Sequence, residues 1–149
     1  MAANAIRIEA DGGATAIEIP TDDVTELNTA LRALLRGTPE QAVYHRRSLL
    51  WVHDNGQREG LTPNLTAWTL ASAWRGQPLP YQLYGPVIVT GRDQFTGDSA
   101  PLEDDLAASV HAVNTTVADT MAAWRTRRPT STDAAISELL AYAIRDVTA

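Results

Sequence analysis

From Leu106 to Trp124 the large apolar residues are Leu106, Val110, Val113, Val117, Met121 and Trp124. Their spacings are four, three, four, four and three, which places all six on one face of a helix and suits no strand. Glu103, Asp104 and Asp105 stand at the start of the run, and Arg125, Arg127 and Arg128 at its end. Both placements complement the helix dipole. Pro129 stops the helix, and Ser131-Thr132-Asp133 caps a last one striped by Ile136, Leu139, Leu140, Ala143 and Ile144. The last third of the chain is therefore a helical pair.

The first hundred residues follow a different rule. Ile6 and Ile8, then Ile17 and Ile19, alternate with polar or small residues around Asp11-Gly12-Gly13, which predicts a hairpin ended by Pro20. Val24, Leu27, Leu31, Leu34 and Leu35 predict a helix over about 22–36, capped by Thr21 or Asp22 and closed by Gly37. Short strands are expected at 42–44 and 49–53 around a polar turn at 45–48. A helix starting at Thr62-Pro63 and ending near Gly76 follows, then a strand at 86–90 closed by Gly91 and a polar loop over 92–101. Trp51, Trp68, Trp74 and Trp124 are expected to fill the core. The order ββα, ββα, β, αα predicts an α+β fold. It is a mostly antiparallel sheet of about five strands with two packed helices, plus a C-terminal helical pair. The expected division is an α+β core over 1–101 and a helical hairpin over 102–149, packed on the core or forming a dimer face.

The chain has 149 residues, enough for a sizeable core, and no Cys, which excludes disulfides, thiolate metal sites and thiol catalysis. No apolar stretch is long enough to span a bilayer and nothing reads as a secretion signal, so the expectation is a cytoplasmic protein without a membrane partner. All twelve cations are Arg, a bias that suits a GC-rich genome. The net charge is -6, with acids in excess in residues 1–40 and 101–149. Such a surface repels a phosphate backbone, so nucleic acid is a disfavoured partner.

Few residues read as chemistry. His53-Asp54-Asn55-Gly56 offers an imidazole beside a carboxylate, the elements of a general base. The same four residues also make a tight turn, and neighbours on a strand point to opposite faces, so His53 and Asp54 are not expected to meet. Asn64 near a helix N-terminus is either a ligand contact or a tie between the helix and the loop before it. Arg46 and Arg47, beside His45, join Arg125, Arg127 and Arg128 in a basic patch or stand as solvated turn and helix-end charges. A pocket lined by His53, Arg58 and Asn64 is the sign of a ligand site to look for. His45, His53 and His111 lack metal-motif spacing and no phosphate-binding loop is present, so no metal or cofactor is expected. The last helix carries Asp133, Glu138 and Asp146 against Arg145, unlike a DNA-recognition helix.

One resemblance adds to this reading. His53-Asp54-Asn55-Gly56, Glu59-Gly60-Leu61, Pro63-Asn64, Ala67 and Gly85-Pro86-Val87-Ile88-Val89-Thr90-Gly91 occur in order. Over roughly residues 5–92 the chain resembles domain-of-unknown-function family 3846, small proteins carried mainly by phages, plasmids and other mobile elements, many in actinobacteria. His53 stands where that family usually has Asn. The resemblance implies a mobile-element origin and this fold, and brings no catalytic residue. The expected function is therefore that of an accessory protein that binds a host or phage protein without catalysis. His53, Asp54, Asn55, Arg58, Asn64, Arg46 and Arg47 are the candidate contacts, and residues 103–147 are a possible homodimer face. The alternatives are a nucleic-acid-binding or anti-defence protein that mimics nucleic acid, and a hydrolase using His53.

Overall fold

The computed structural model describes residues 3–147. It has ten elements: β1 (Ala5–Ile8), β2 (Ala14–Ile17), α1 (Val24–Leu35), β3 (Pro39–His45), β4 (Ser48–His53), α2 (Leu65–Arg75), β5 (Val87–Arg92), β6 (Ser99–Ala100), α3 (Asp104–Ala123) and α4 (Thr132–Ile144). The strands form one antiparallel sheet in the order β2-β1-β5-β4-β3, with β6 paired to the end of β5. This is the expected α+β architecture, with one short strand more than the patterns predict. Among the described residues no helix is long and apolar enough to cross a membrane.

Period-two alternation decides which helix covers which face. Ile6, Val89 and Leu50 stand in one cross-strand row, and with Ile8 and Val87 they face α2, α3 and α4. The apolar residues of those helices, among them Leu70, Leu106, Val110, Val113 and Leu140, join the sheet in a single cluster. Ala5, Ile88 and Trp51 face the other way, against Leu27, Leu31 and Leu35 of α1. The sheet is thus covered on both sides, which is why β5 is buried from Val87 through Gly91 rather than on alternate residues. Trp68 is buried, while Trp51, Trp74 and Trp124 lie half-buried at the margins of the two clusters.

Several predicted boundaries move, each for a local reason. Asp23, not Thr21 or Asp22, caps α1 by accepting from the Glu26 amide. Arg36 rather than Gly37 takes the left-handed conformation after α1, at φ 56°. Gly37 is needed for space: a Cβ there would lie 2.2 Å from His53 Nε2. Leu65, not Pro63, begins α2, with Asn64 as its cap, and Pro63 is drawn into a bridge with Tyr84. β5 continues through Gly91, where a Cβ would meet the Pro101 carbonyl at 2.2 Å, so the returning strand β6 can approach. In α3 the buried face runs Leu106, Val110, Val113, Val117 and then Thr120, leaving Met121 44% exposed. The rest of the predicted stripe is covered by this chain's own sheet and helices. Over residues 103–147 the exposed large apolar side chains are Met121, Tyr142 and Ile144.

Candidate functional site

A cleft of about 450 Å³ lies beside the edge strand β3. Glu40, Ala42 and Tyr44 of β3 and Val52 of β4 line one side of it, the connector Tyr81–Tyr84 lines another, and the turn 53–58 completes the rim. The cleft sits at a place the fold makes unavoidable. β3 has a partner on one side only, and the 81–84 connector is tied down by Leu83 and Thr62 carbonyls accepting from the Asn64 and Gly85 amides.

His53, Asp54, Asn55 and Arg58 all line this cleft, so the structure brings four of the seven candidates together. It also brings His53 and Asp54 closer than strand geometry predicts. β4 ends at His53, the chain turns there, and Asp54 Oδ1 comes to 3.5 Å from His53 Nδ1. Yet Nδ1 accepts a 2.9 Å hydrogen bond from the Asn55 amide. A backbone N–H can only donate, so neutral His53 carries its proton on Nε2 and presents a lone pair at Nδ1. The carboxylate therefore cannot hold the ring through an Nδ1 proton as an acid–base pair requires. His45 repeats the arrangement at the other end of the hairpin, with Nδ1 accepting from the Arg47 amide at 3.0 Å. In both places the imidazole closes a turn.

The other three candidates lie elsewhere. Asn64 is 0% exposed and its amide is fully engaged. Its Nδ2 donates to the Ile8 and Gly85 carbonyls at 3.0 and 2.9 Å, and its Oδ1 accepts from the Ala67 amide at 3.0 Å. It ties β1, the 85 turn and α2 together. Arg46 is exposed in the β3–β4 turn. Arg47 grips the first turn of α3, donating to Glu103 at 2.8 Å and to both oxygens of Asp105 at 3.2 and 2.8 Å. That fork holds the Asp105 carboxyl below its ordinary range. Arg127 likewise pairs with Glu138 at the far end of α3, which lowers the Glu138 carboxyl. The basic patch considered from the sequence does not form, because Arg47 and Arg127 sit at opposite ends of a 20-residue helix. Such a helix separates them by about 30 Å.

Sequence reasoning missed the tyrosines. Tyr44, Tyr81 and Tyr84 all line the cleft, and the Tyr44 and Tyr81 hydroxyls are 2.8 Å apart. Burial, then the hydrogen bond to Tyr81, pushes the Tyr44 phenol well above its usual range, so it stays protonated at any physiological pH. The available signal was two tyrosines in a Pro- and Gly-punctuated connector, where aromatic rings serve contacts more often than packing. Arg58 is exposed, and among the described residues no carboxylate forms an ion pair with it. The arrangement offers phenols, carboxamides, the Glu40 and Asp54 carboxylates and one cation on an open wall. Among the described residues, no group of three or more His, Asp or Glu converges to hold a metal.

A family model described as a domain of unknown function, DUF3846, matches residues 3–114. The match takes in the whole sheet, the cleft and the first half of α3, further than the quoted motifs extend. No curated protein and no solved structure matches the chain.

Proposed function

The chain belongs to the DUF3846 family, and from that premise we propose that it is a phage or mobile-element accessory protein that works by binding a host or element polypeptide. The mobile-element setting comes from the resemblance. The binding reading rests on one observation: His53 Nδ1 is occupied by the Asn55 amide, so the cleft's best catalytic candidate serves its turn. What faces outward instead is Tyr81, Gln82, Asn55, Gln57 and Arg58, groups that hydrogen-bond and stack on a polypeptide. Cytoplasmic residence fits this role.

The alternatives lose support in turn. Direct nucleic-acid binding lacks the joined basic patch, since Arg47 and Arg127 are each neutralised by acids. Mimicry of nucleic acid keeps only the general acidity of the chain. A hydrolase centred on His53 lacks an oriented proton acceptor.

Immobilised wild-type protein and the double variant Arg58→Ala/Tyr81→Ala, challenged with lysate of the source organism, test the reading. A polypeptide retained by wild type and lost about tenfold by the variant is expected, the size of effect that removal of interface anchors produces. Equal retention by both overturns the assignment to this cleft. Turnover of a small molecule that disappears in His53→Ala overturns the non-catalytic role.

A further inference from the structure

The only Phe in the chain stands at the tip of the β5–β6 hairpin and is 92% exposed, the most of any large apolar side chain described. Nothing in the fold requires it there. Its turn is nonetheless tied by several hydrogen bonds. The Asp93 amide donates to the Asp98 carbonyl at 2.8 Å and the Gly97 amide to the Asp93 carbonyl at 2.7 Å. Asp93 Oδ1 accepts from the Phe95 and Thr96 amides at 2.9 and 3.2 Å. At the base, Arg92 is held by the Arg46 and Arg47 carbonyls. An apolar ring left in water on a turn with this many bonds is pre-organised, so little ordering entropy is lost when it inserts elsewhere.

We propose that this hairpin is a second interaction surface, with Phe95 as the anchor that enters an apolar pocket on a partner protein. Charge selects the class of partner. Asp93 and Asp98 flank the ring, and the Arg92 guanidinium is turned back to the Arg46 carbonyl. Carboxylates beside the inserting group repel phospholipid headgroups and nucleic-acid phosphates alike. Ser48, paired with Gly91 at the base of the hairpin, and His53, on the rim of the cleft, stand at opposite ends of β4, about 17 Å apart, while the cleft wall runs back along β3 as far as Tyr44. One molecule therefore presents two binding surfaces.

Photocrosslinking decides the matter. The photoreactive amino acid p-benzoyl-phenylalanine is placed at position 95 in one sample and at position 121 in another, because Met121 is also exposed and lies near the end of α3 far from Glu103, which borders the hairpin. Both are irradiated in lysate of the source organism. The expected product is a protein adduct from position 95 and none of that mass from position 121. Excess wild type suppresses it, while Phe95→Ala competes about tenfold less well, as truncation of an aromatic anchor requires. Unchanged melting of Phe95→Ala shows that the loss is not unfolding. Arg58→Ala/Tyr81→Ala competes like wild type, which separates this surface from the cleft. The proposal is overturned by no saturable adduct, by lipid or nucleic-acid adducts, by equal competition from Phe95→Ala, or by failure of the cleft variant to compete.

Discussion

At the scale of single residues, Asn64 does more than its position in the sequence suggests. Its side chain caps α2 and satisfies two buried carbonyls, one on β1 and one on the 85 turn. Asn64→Ala removes the cap, worth about 1 kcal/mol, and strands two buried acceptors. The expected loss is about 3 kcal/mol, read as a drop of roughly 6–12 °C in Tm. Asn64→Asp keeps the cap acceptor but sets a carboxylate against two carbonyl oxygens, so at pH 7 it melts below Asn64→Ala. That gap narrows as the pH falls and the carboxyl takes up a proton. A smaller effect of Asn64→Asp than of Asn64→Ala at pH 7 contradicts this account. Gly37 and His53 make a second residue-level case. A Cβ at 37 collides with the imidazole, so Gly37→Ala should cost about 1–3 kcal/mol by overpacking. In the His53→Ala background most of that cost should vanish, and an additive double-mutant cycle contradicts the packing explanation. These roles were only partly legible from the sequence. Asn64 read as a ligand contact or, more readily, as a tie between the helix and the loop before it, but its bond to Ile8, 56 positions earlier, left no local signal. Gly37 read as a helix cap because a ring arriving from β4 leaves no local pattern.

At the scale of elements, periodicity carried most of the information and failed where tertiary contacts set the answer. The stripe from Leu106 to Val117 predicted α3 because each of its residues is buried. It drifted at Met121 because α4 packs beside Thr120 instead. β6 left no pattern at all: Ser99 and Ala100 are strand only because Gly91 lets them close on β5. The fork from Arg47 to α3 was equally hidden, since Arg47 reads as a solvated turn cation until a helix 58 residues later is laid against it. That fork predicts a pH dependence. Asp105 is held lower in the folded chain than in the unfolded one, chiefly by Arg47. Its contribution is therefore present above the ordinary carboxyl value of 3.8 and fades as the pH falls through the lower folded value. Arg47→Gln should melt below wild type by a constant margin between about pH 5 and 8, converging with wild type once the pH has fallen below the lowered Asp105 value. A margin that persists into strong acid means Arg47 acts through packing of its stem.

At the scale of the whole molecule, the question is whether the helical pair is an appendage or a wall of the core. The sheet side exposes Ile6, Ile8, Leu50, Val87 and Val89 to α2, α3 and α4 together, in one apolar cluster. Leu106, Val110, Val113, Leu139 and Leu140 come from beyond residue 101 and are each at most 6% exposed. Burial of such a side chain contributes about 1.5–3 kcal/mol, so five of them contribute roughly 10 kcal/mol. The whole stability of a domain is about 5–15 kcal/mol. Residues 1–101 alone therefore face water with eight of the twenty buried residues of that cluster missing, and a fragment ending there should show no cooperative thermal transition and should bind a hydrophobic dye. The full chain should melt in one step by both far-UV and near-UV circular dichroism. The family match points the same way, because it runs past residue 101 to 114 and takes in Leu106, Val110 and Val113. A 1–101 fragment with a sharp transition near that of the full chain contradicts this, and makes α3 and α4 a separable unit free to carry a function of their own.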